Sequence, residues 1–379
     1  MQFRDKTARV VSLVLTHGCN LHCTYCFELH KNANEKMSVS IAKEIIEREL
    51  AQFHPTKEDD TIVFEYFGGE PLMRFDLIEE VSEFFWKTKQ NKKYRFKVTT
   101  NGTLLDERKQ AWFALHKDKI SITLSIDGIE DEQIRNRGRA VSQDVLDFVQ
   151  NTWSDSHFKS TMSRETLPNF ADNIIRMTEC GYRVAATIGV GIPWSDNDAL
   201  IYKRELTKLA EYYLQHPDCY MIPLFRSIYA GILSVEDNAS MVPPPNCGIM
   251  RNMVTYDVDG EAYPCHMFLP FVNGKTDYKK IAEIDFSNAD ILVSDDCKQC
   301  NLLPVCRTCY GFNYNHRGDV SLRDKSFCAM LLAEVQVISA FQINYLVRKS
   351  ENQCLTDEEL LTLKVATLCY QRYSDFSFK

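Results

Sequence analysis

The chain has 379 residues, of which 45% are hydrophobic and 25% are charged, and its formal net charge is −8. This composition is typical of a soluble globular protein with one large and one smaller domain, and it argues against nucleic acid or an anionic membrane as a partner. The N-terminus lacks an apolar signal core and no apolar run approaches a membrane span, so the sequence predicts a cytoplasmic protein. Fourteen cysteines in such a protein indicate metal or redox chemistry rather than disulfides.

The first predicted strand leads directly into a loop that carries three cysteines. Residues 9–15 are β-branched and aliphatic, as in a buried strand. The cysteines follow with the spacing C-x3-C-x2-C: Cys19, Cys23 and Cys26. Three thiolates on one short loop can bind three corners of a cubane iron–sulfur cluster and leave the fourth iron open to a small molecule. A zinc loop completed by His17 or His22, or unrelated core thiols, are the alternatives.

Strand-like and helix-like segments alternate through the first two-thirds of the chain. Further strands are predicted over residues 61–67, 94–99, 120–126, 158–162, 183–190 and 220–225. Helices are predicted over residues 38–53, 76–86, 106–116, 168–180 and 196–216. Six or seven β/α units predict an α/β fold with a partial (β/α)6 barrel similar to a TIM barrel, whose active site forms at the carboxyl ends of the strands.

Residues that could bind a ligand follow the second and third predicted strands. Gly68 and Gly69 would let the backbone approach a ligand closely, and Glu70 can accept a hydrogen bond from an ammonium group. Asn101 follows the third strand and precedes a glycine. A plain Gly-Gly turn and a plain Asn-Gly turn are the alternatives.

The fourth predicted strand ends with two polar residues that point to the same face, Ser125 and Asp127. Both side chains can form hydrogen bonds with ribose hydroxyl groups. A basic stretch with Arg137 at its centre follows. A simple Asp-Gly turn and a solvated basic loop are the alternatives at these two places.

The last third of the chain contains a second set of cysteines. They are Cys247, Cys265, Cys297, Cys300, Cys306, Cys309 and Cys328. Two C-x2-C pairs among these seven residues indicate metal binding. A hairpin over residues 254–264 that turns at Asp259 and Gly260 would bring Cys247 and Cys265 together. Two structural zinc sites and two [4Fe–4S] clusters both fit this pattern.

These motifs together resemble the radical SAM enzymes that carry a C-terminal SPASM domain. The similarity is to the peptide-modifying (RiPP) maturases and, less closely, to the anaerobic sulfatase-maturating enzymes. It implies that S-adenosylmethionine (SAM) binds the open iron of the N-terminal cluster. By the same resemblance the cofactor-binding residues are Tyr25 and Leu224 at the adenine, Ser125 and Asp127 at the ribose, Arg137 at the carboxylate, Glu70 at the amino group, and Gly68, Gly69 and Asn101 around them.

The resemblance also implies two auxiliary [4Fe–4S] clusters, which makes three clusters in total. The outer cluster would be bound by Cys297, Cys300, Cys306 and Cys328, and the inner one by Cys247, Cys265 and Cys309. Sulfatase maturases have a further cysteine where this chain has Met253, and a catalytic aspartate where it has His266. The implied domains are a radical SAM core at 1–235, a SPASM domain at 236–345 and a helical tail at 346–379.

The function implied by the resemblance is modification of a ribosomal precursor peptide. A 5′-deoxyadenosyl radical formed from SAM would abstract hydrogen from the peptide, which leads to an oxidative carbon–carbon (cyclophane) or thioether crosslink. A flavodoxin- or ferredoxin-type protein would donate electrons. The leader-binding module of many relatives is not expected here, so the leader would bind elsewhere or be presented by a separate protein. Formylglycine formation and a non-enzymatic iron–sulfur or zinc protein are the alternatives, and no catalytic residue is assigned.

Overall fold

The computed structural model describes residues 7–236, 247–249, 252–274 and 278–377. The chain divides into two compact units. One contains Met1–Ile126, Arg137–Phe158 and Cys247–Ser287, and the other contains Asp127–Asn136, Lys159–Asn246 and Asn288–Lys379. Each unit therefore combines segments that are distant in the chain. The predicted boundaries at 235 and 345 concern family modules rather than packing, and they stay predictions.

Eight strands and fourteen α-helices occur within the described ranges. The strands are β1 Thr7–Val14, β2 Thr61–Phe67, β3 Tyr94–Thr100, β4 Ile120–Leu124, β5 Phe158–Met162, β6 Val184–Ile188, β7 Met253–Tyr256 and β8 Ala262–Tyr263. The helices are α1 Val39–Gln52, α2 Phe75–Lys87, α3 Glu107–Leu115, α4 Asp131–Arg137, α5 Gln143–Thr152, α6 Phe170–Glu179, α7 Asp196–Gln215, α8 Leu233–Glu236, α9 Pro270–Asn273, α10 Tyr278–Ala282, α11 Asp295–Lys298, α12 Tyr310–Arg317, α13 Cys328–Ser350 and α14 Asp357–Tyr373.

The first unit is built on a six-stranded sheet with the order β4-β3-β2-β1-β7-β8. Strands β1 to β4 pair in parallel, and a helix follows each of the first three. Their inward side chains, among them Leu13, Phe64, Phe96 and Ile122, are fully buried. Burial of each such side chain contributes about 1.5–3 kcal/mol. These successive β/α units confirm the predicted α/β fold and align the carboxyl ends of the parallel strands along one edge of the sheet.

Strand β7, from the cysteine-rich last third of the chain, pairs with β1 in parallel. It continues through a turn at Asp259 and Gly260 into β8, so the predicted hairpin is confirmed. A buried network fixes this arrangement: Glu49 of α1 accepts hydrogen bonds from Arg9 of β1 over 2.6 Å and from the Tyr256 hydroxyl of β7 over 2.5 Å. The hairpin is thereby part of the same sheet as the strand that leads into the first cysteine loop.

The predicted strand over residues 220–225 is wrong. The segment Pro223–Arg226 forms a 3₁₀ helix instead. Pro223 has no N–H group with which to join a strand ladder. In addition, the carbonyl groups of Phe225 and Ser227 accept hydrogen bonds from Gln342 of α13 over 3.0 and 2.9 Å, which takes the place of pairing with a neighbouring strand.

The second unit contains β5 and β6, which pair with each other, and most of the remaining helices. Long helix α13 packs against both α7 and α14, and its apolar side chains form a core with residues such as Tyr229, Leu302 and Tyr373. The predicted helical tail is confirmed, and its helix α14 is capped by the side chain of Thr356.

Within the described residues one helix, Lys325–Ser350, is long and apolar enough to cross a membrane, contrary to the expectation that no apolar run approaches a membrane span. Within its most apolar window, 61% is buried inside the protein, as in the core helix of a soluble protein. Its apolar character is therefore explained by packing.

Candidate active site

The first cysteine loop follows β1, and its three thiols are half-buried and form no disulfide. The loop turns where the Cys26 N–H group donates to the Cys23 carbonyl over 3.1 Å. Burial raises the pKa of Cys19 to about 11 and also raises the pKa of Cys26, whereas the nearby Lys31 ammonium acts in the opposite direction. Metal binding requires thiolates and offsets the cost of burying them. Three thiols outside any disulfide, beside a cation, are a donor set that fits an iron–sulfur cluster.

His17, a possible fourth zinc ligand by sequence, has a different partner. Its Nε2 atom lies 2.6 Å from Asp257 Oδ1, and its ring stacks on Phe271 with centroids 4.5 Å apart. Both His17 and Asp257 are buried. The pair joins the start of the cysteine loop to the end of β7, because parallel strands β1 and β7 end at the same edge of the sheet. Asp257 thereby engages Nε2 of His17, which leaves Nδ1 as the one atom of this ring that could serve a zinc ion.

Gly68 and Gly69 pack directly on the backbone of the cysteine loop. A Cβ atom on Gly69 would lie 2.3 Å from the Gly18 carbonyl oxygen, and one on Gly68 would lie 2.4 Å from the Thr16 carbonyl oxygen. The Gly69 N–H group donates to Thr16 over 3.0 Å and the Glu70 N–H group donates to Gly18 over 2.9 Å. The close approach that the glycines permit is therefore to the cysteine loop itself.

Glu70 is buried, with 1% of its surface exposed, and it is held by three donors. Its Oε1 atom accepts from the Leu72 N–H group over 2.9 Å and from the Thr100 hydroxyl over 2.7 Å, and its Oε2 atom accepts from the Asn101 N–H group over 2.8 Å. Burial raises the pKa of this carboxyl group, while these hydrogen bonds and the Arg137 charge act in the opposite direction. A carboxylate has about four acceptor positions, so the geometry leaves one for a ligand.

Asn101 connects the end of β3 to the cysteine loop. Its Nδ2 atom donates to Asn20 Oδ1 over 2.9 Å, and its Oδ1 atom accepts from the Thr103 hydroxyl over 2.7 Å. Asn20 in turn donates to the Thr103 hydroxyl over 2.8 Å. Neither Asn20 nor Thr103 lies in a recognisable spacing pattern, so the sequence alone does not point to them.

Arg137, Tyr25 and Cys23 come together in the first unit. The Arg137 guanidinium lies 5.5 Å from the centre of the Tyr25 ring and 4.0 Å from Cys23 Sγ. Ser125 belongs to the same unit, and its N–H group donates to the Thr100 carbonyl over 2.9 Å, which keeps the end of β4 beside β3. Seven of the nine predicted cofactor-binding residues thus belong to the unit that carries the cysteine loop: Tyr25, Gly68, Gly69, Glu70, Asn101, Ser125 and Arg137.

Asp127 and Leu224 belong to the second unit. Asp127 Oδ1 accepts from the Thr161 N–H group over 2.8 Å, and Asp127 Oδ2 accepts from Asn136 over 3.2 Å. Leu224 lies in a 3₁₀ helix, where its carbonyl accepts from the Ser227 N–H group over 3.2 Å. Both residues thus have partners within the second unit that the sequence did not predict, and their contacts with SAM stay predictions.

Five cysteines of the last third line one cavity of 470 Å³ in the second unit. They are Cys297, Cys300, Cys306, Cys309 and Cys328. Burial, together with the neighbouring thiols Cys306, Cys300 and Cys297, raises the pKa of Cys328 to about 11. The four cysteines expected at the outer cluster are therefore close neighbours, although no disulfide joins them.

Two cations lie among these thiols. Lys325 Nζ is 2.9 Å from Cys297 Sγ, and the Arg323 guanidinium lies beside Cys306. Arg323 is 94% buried, yet its Nε and Nη1 atoms have no hydrogen-bond partner within the described residues. Buried donors without partners are rare in native proteins and require an explanation. An anionic cluster with four thiolate ligands would supply one, so this site fits the predicted group.

Cys265 and Cys247 flank the β7–β8 hairpin in the first unit, where Cys265 is buried and Cys247 is exposed. His266 follows Cys265, and its ring lies 5.5 Å from the ring of Phe27 and 5.2 Å from that of Phe67. Among the residues that the structure describes, no three His, Cys, Asp or Glu side chains group as around a single metal ion. A cubane separates its ligands more widely, because each thiolate binds a different iron atom.

A buried carboxylate joins the cysteine region of the second unit to its helices. Glu334 of α13 accepts from the Tyr229 hydroxyl over 2.8 Å, from the Tyr202 hydroxyl over 3.1 Å, and from the Arg307 guanidinium. Glu334 is 3% exposed. Arg307 directly follows Cys306, so this network positions the backbone of a predicted cluster ligand.

Proteins similar in sequence include enzymes and an uncharacterised protein. The uncharacterised protein, from Methanocaldococcus jannaschii, is 33% identical over 141 residues, and the match spans 37% of this chain and only 46% of that protein. The radical SAM cyclopropyl synthase TigE of Paramaledivibacter caminithermalis is 21% identical over 358 residues, which are 84% of this chain and 71% of TigE.

Solved structures show the same fold. Native anSMEcpe with bound AdoMet and Kp18Cys peptide matches with a TM-score of 0.65 and 18% identity, over 91% of this chain and 100% of that chain. Streptococcus suis SuiB bound to precursor peptide SuiA matches with a TM-score of 0.52 and 15% identity, over 85% of this chain and 76% of that chain. Both matches concern the fold of most of the chain, including its cysteine-rich last third.

A sequence model of the radical SAM superfamily matches residues 13–203, about half of the chain. The match begins in β1, includes the cysteine loop and all predicted SAM motifs except the one at Leu224, and ends in α7. The cysteine-rich last third fits a SPASM domain. The chain therefore belongs to the radical SAM superfamily, and it is an enzyme that uses SAM and an iron–sulfur cluster.

Proposed function

We propose that this enzyme is a cytoplasmic radical SAM/SPASM peptide maturase that forms an oxidative crosslink in a ribosomal precursor peptide. It holds three [4Fe–4S] clusters, one that binds SAM and two auxiliary ones. The observation that carries the proposal is the group formed in the first unit by the three-cysteine loop, Glu70, Tyr25 and Arg137. This group offers an acceptor for an ammonium, a donor for a carboxylate and an aromatic face beside one set of thiols.

Each of these residues has a definite task in the proposed reaction. When bound, the N-terminal cluster supplies the electron that cleaves SAM into methionine and a 5′-deoxyadenosyl radical, which removes a hydrogen atom from the peptide. Glu70 uses its remaining acceptor position for the SAM ammonium group, and its three fixed hydrogen bonds prevent it from rotating. Arg137 binds the SAM carboxylate, and Tyr25 lies beside the adenine. Fixed geometry and exclusion of water matter here because the radical would react with any nearby C–H bond.

The auxiliary clusters rest on the second set of cysteines. Four of these lie together in the second unit beside two cations. We assign the outer cluster to Cys297, Cys300, Cys306 and Cys328, and the inner cluster to Cys247, Cys265 and Cys309. A net oxidation of the peptide needs an outlet for electrons, and a flavodoxin- or ferredoxin-type protein is the proposed carrier in both directions.

A peptide substrate is supported by proteins of similar fold that have been solved with peptides bound. SuiB is seen bound to its precursor peptide SuiA, and anSMEcpe is seen bound to a peptide. Formylglycine formation is the less favoured reaction, because Met253 occupies a β7 position paired with Val10 and His266 replaces the expected carboxylate. The precursor's leader binds either to this chain or to a separate leader-binding protein.

The test is anaerobic reconstitution followed by iron analysis, a SAM-cleavage assay and mass spectrometry of a candidate peptide encoded beside this gene. We expect about 12 iron atoms per chain, from three cubanes, together with 5′-deoxyadenosine and a peptide that has lost two hydrogen atoms per crosslink. A matched variant with Cys19, Cys23 and Cys26 replaced by Ala should keep about 8 iron atoms and form no 5′-deoxyadenosine. Zinc in place of iron, or iron without SAM cleavage, would refute the proposal, and formylglycine in a sulfatase-derived peptide would establish the alternative.

A further inference from the structure

The cavity that contains the outer-cluster cysteines has an excess of positive charge on its wall. Cys297, Cys300, Cys306 and Cys328 line it together with Arg323 and Lys325. Four thiolates carry more negative charge than a cubane core neutralises, so a cluster held here is an anion. Its energy therefore depends strongly on the cations that share the cavity.

Arg323 is the cation that the surrounding protein leaves uncompensated. It is 94% buried, it forms no ion pair within the described residues, and two of its three nitrogen atoms have no hydrogen-bond partner there. Burial of a guanidinium that has neither a counter-charge nor acceptors for its N–H groups is strongly unfavourable. Such a residue is stable in the folded protein only if something anionic accepts its hydrogen bonds.

The other charged groups around this cavity are already matched. Asp296 lies 2.7 Å from Lys325, and Asp324 lies 3.1 Å from Arg317. Glu334 is paired with Arg307. Lys325 is shared between Asp296 and the Cys297 sulfur, from which it is 2.9 Å. The net unmatched charge is therefore that of Arg323, with a smaller contribution from Lys325.

We propose that Arg323, assisted by Lys325, donates hydrogen bonds to the sulfur atoms of the outer cluster and raises its reduction potential. The inference rests on the proposed function in that it assumes a [4Fe–4S] cluster on these four cysteines. A reduced cluster carries one more negative charge than an oxidised one, so a buried cation and hydrogen bonds to sulfur stabilise the reduced form more. Arg323 is thus a positioning residue whose charge and hydrogen bonds favour the reduced state of the outer cluster.

The test is an EPR-monitored redox titration of the reconstituted full chain without SAM or peptide. Replacement of Cys19, Cys23 and Cys26 by Ala first removes the N-terminal cluster, and the outer-cluster signal is identified as the one lost in Cys328→Ala. Arg323→Gln should lower the ratio of reduced to oxidised outer cluster at a fixed potential about tenfold, which is a fall of about 59 mV for a one-electron couple. Arg323→Lys should restore most of this shift.

Two further variants keep the test decisive. Lys298→Gln is the matched control. Lys298 is also next to Cys297, but its side chain is partly in solvent and is paired with Asp295 over 2.9 Å. This variant should leave the reduction potential of the outer cluster unchanged. If Arg323→Gln cannot hold the cluster, Lys325→Gln must lower the potential by a smaller amount. The inference is refuted if neither variant moves the outer-cluster signal, or if Lys298→Gln moves it equally. Because no SAM cleavage is measured, that result would leave the proposed peptide chemistry intact.

Discussion

Gly69→Ala tests whether the contact between the two loops at the carboxyl ends of β1 and β2 holds the N-terminal cluster. A Cβ atom at this position would lie 2.3 Å from the Gly18 carbonyl oxygen and 3.0 Å from Cys19 Cβ. Real Cβ atoms essentially never lie closer than 3.0 Å to a non-bonded heavy atom. The Gly18 carbonyl oxygen and the cysteine loop that carries it must therefore move away by about 0.7 Å or more. The atom that must yield is backbone, which cannot rotate away as a flexible side chain would.

The cost of this movement follows from what the contact contains. Inserting a methyl group into a packed site costs about 1–3 kcal/mol. Separation of the loops also strains the hydrogen bonds from Gly69 to Thr16 and from Glu70 to Gly18, each of which contributes about 1 kcal/mol. We expect the free energy of unfolding of the first unit to fall by about 2–4 kcal/mol. Cys19 should move relative to Cys23 and Cys26.

The assay is iron analysis with EPR and SAM cleavage on the reconstituted variant. We expect a loss of about four iron atoms, with the auxiliary signals retained and SAM cleavage reduced at least a hundredfold, about 2.7 kcal/mol or more. Gly181→Ala is the control, since a Cβ there has no atom within 4 Å and any cost comes only from the positive φ of 83°. Full iron and near-normal cleavage in Gly69→Ala, or equal damage in Gly181→Ala, would contradict the reasoning.

Four further predictions concern other contacts of the chain. Arg137→Gln should weaken SAM binding about ten- to a hundredfold, since a hydrogen bond to a charged group contributes about 1.5–3 kcal/mol; unchanged affinity in equilibrium dialysis would exclude the proposed carboxylate contact. Glu334→Ala should lower the free energy of unfolding by about 2–4 kcal/mol in urea titrations. This is less than for a fully buried pair, because the Arg307 side chain is 36% exposed. If Glu334→Ala lost less stability than Glu334→Gln, the proposed role of the Glu334 charge would be contradicted. Thr356→Ala should cost about 1 kcal/mol through loss of the helix cap. The hydrogen-bonded ion pair with Lys349 lowers the pKa of Glu359 from 4.5. The stabilisation by Glu359 should therefore be present above pH 4.5 and be lost as the pH falls through the lowered pKa. A comparison of the free energy of unfolding with that of Glu359→Gln across this pH range measures the effect.

Much of the candidate site could be predicted from local sequence because its parts follow successive strands. The three-cysteine loop, Glu70 and Asn101 come directly after β1, β2 and β3, and parallel strands bring their carboxyl ends to one edge. Where local pattern failed, as for residues 220–225, a proline and a side chain from a distant helix overruled the β-propensity. Propensity is a weak prior that tertiary contacts override.

The partners of the site residues could not be predicted, because they come from residues far away in the chain. Nothing near Asp127 in sequence indicates that the Thr161 N–H group will satisfy its carboxylate. In the same way, no pattern links His17 to Asp257, which lies 240 residues further on. Such contacts depend on which strands become neighbours and in which register.

The sequence by itself determined the chemistry that this protein can perform, because thiolates at fixed short spacings and strand-end motifs are local properties of the chain. Only the tertiary structure decided how that chemistry is supported. In the folded protein β7 pairs with β1, and Gly69 packs against the backbone of the cysteine loop. The charge of Arg323, which has no ion-pair partner within the described residues, lies among four thiols. These choices arise from long-range packing and from the need to satisfy buried polar groups, which depend on atoms that the linear sequence does not bring together.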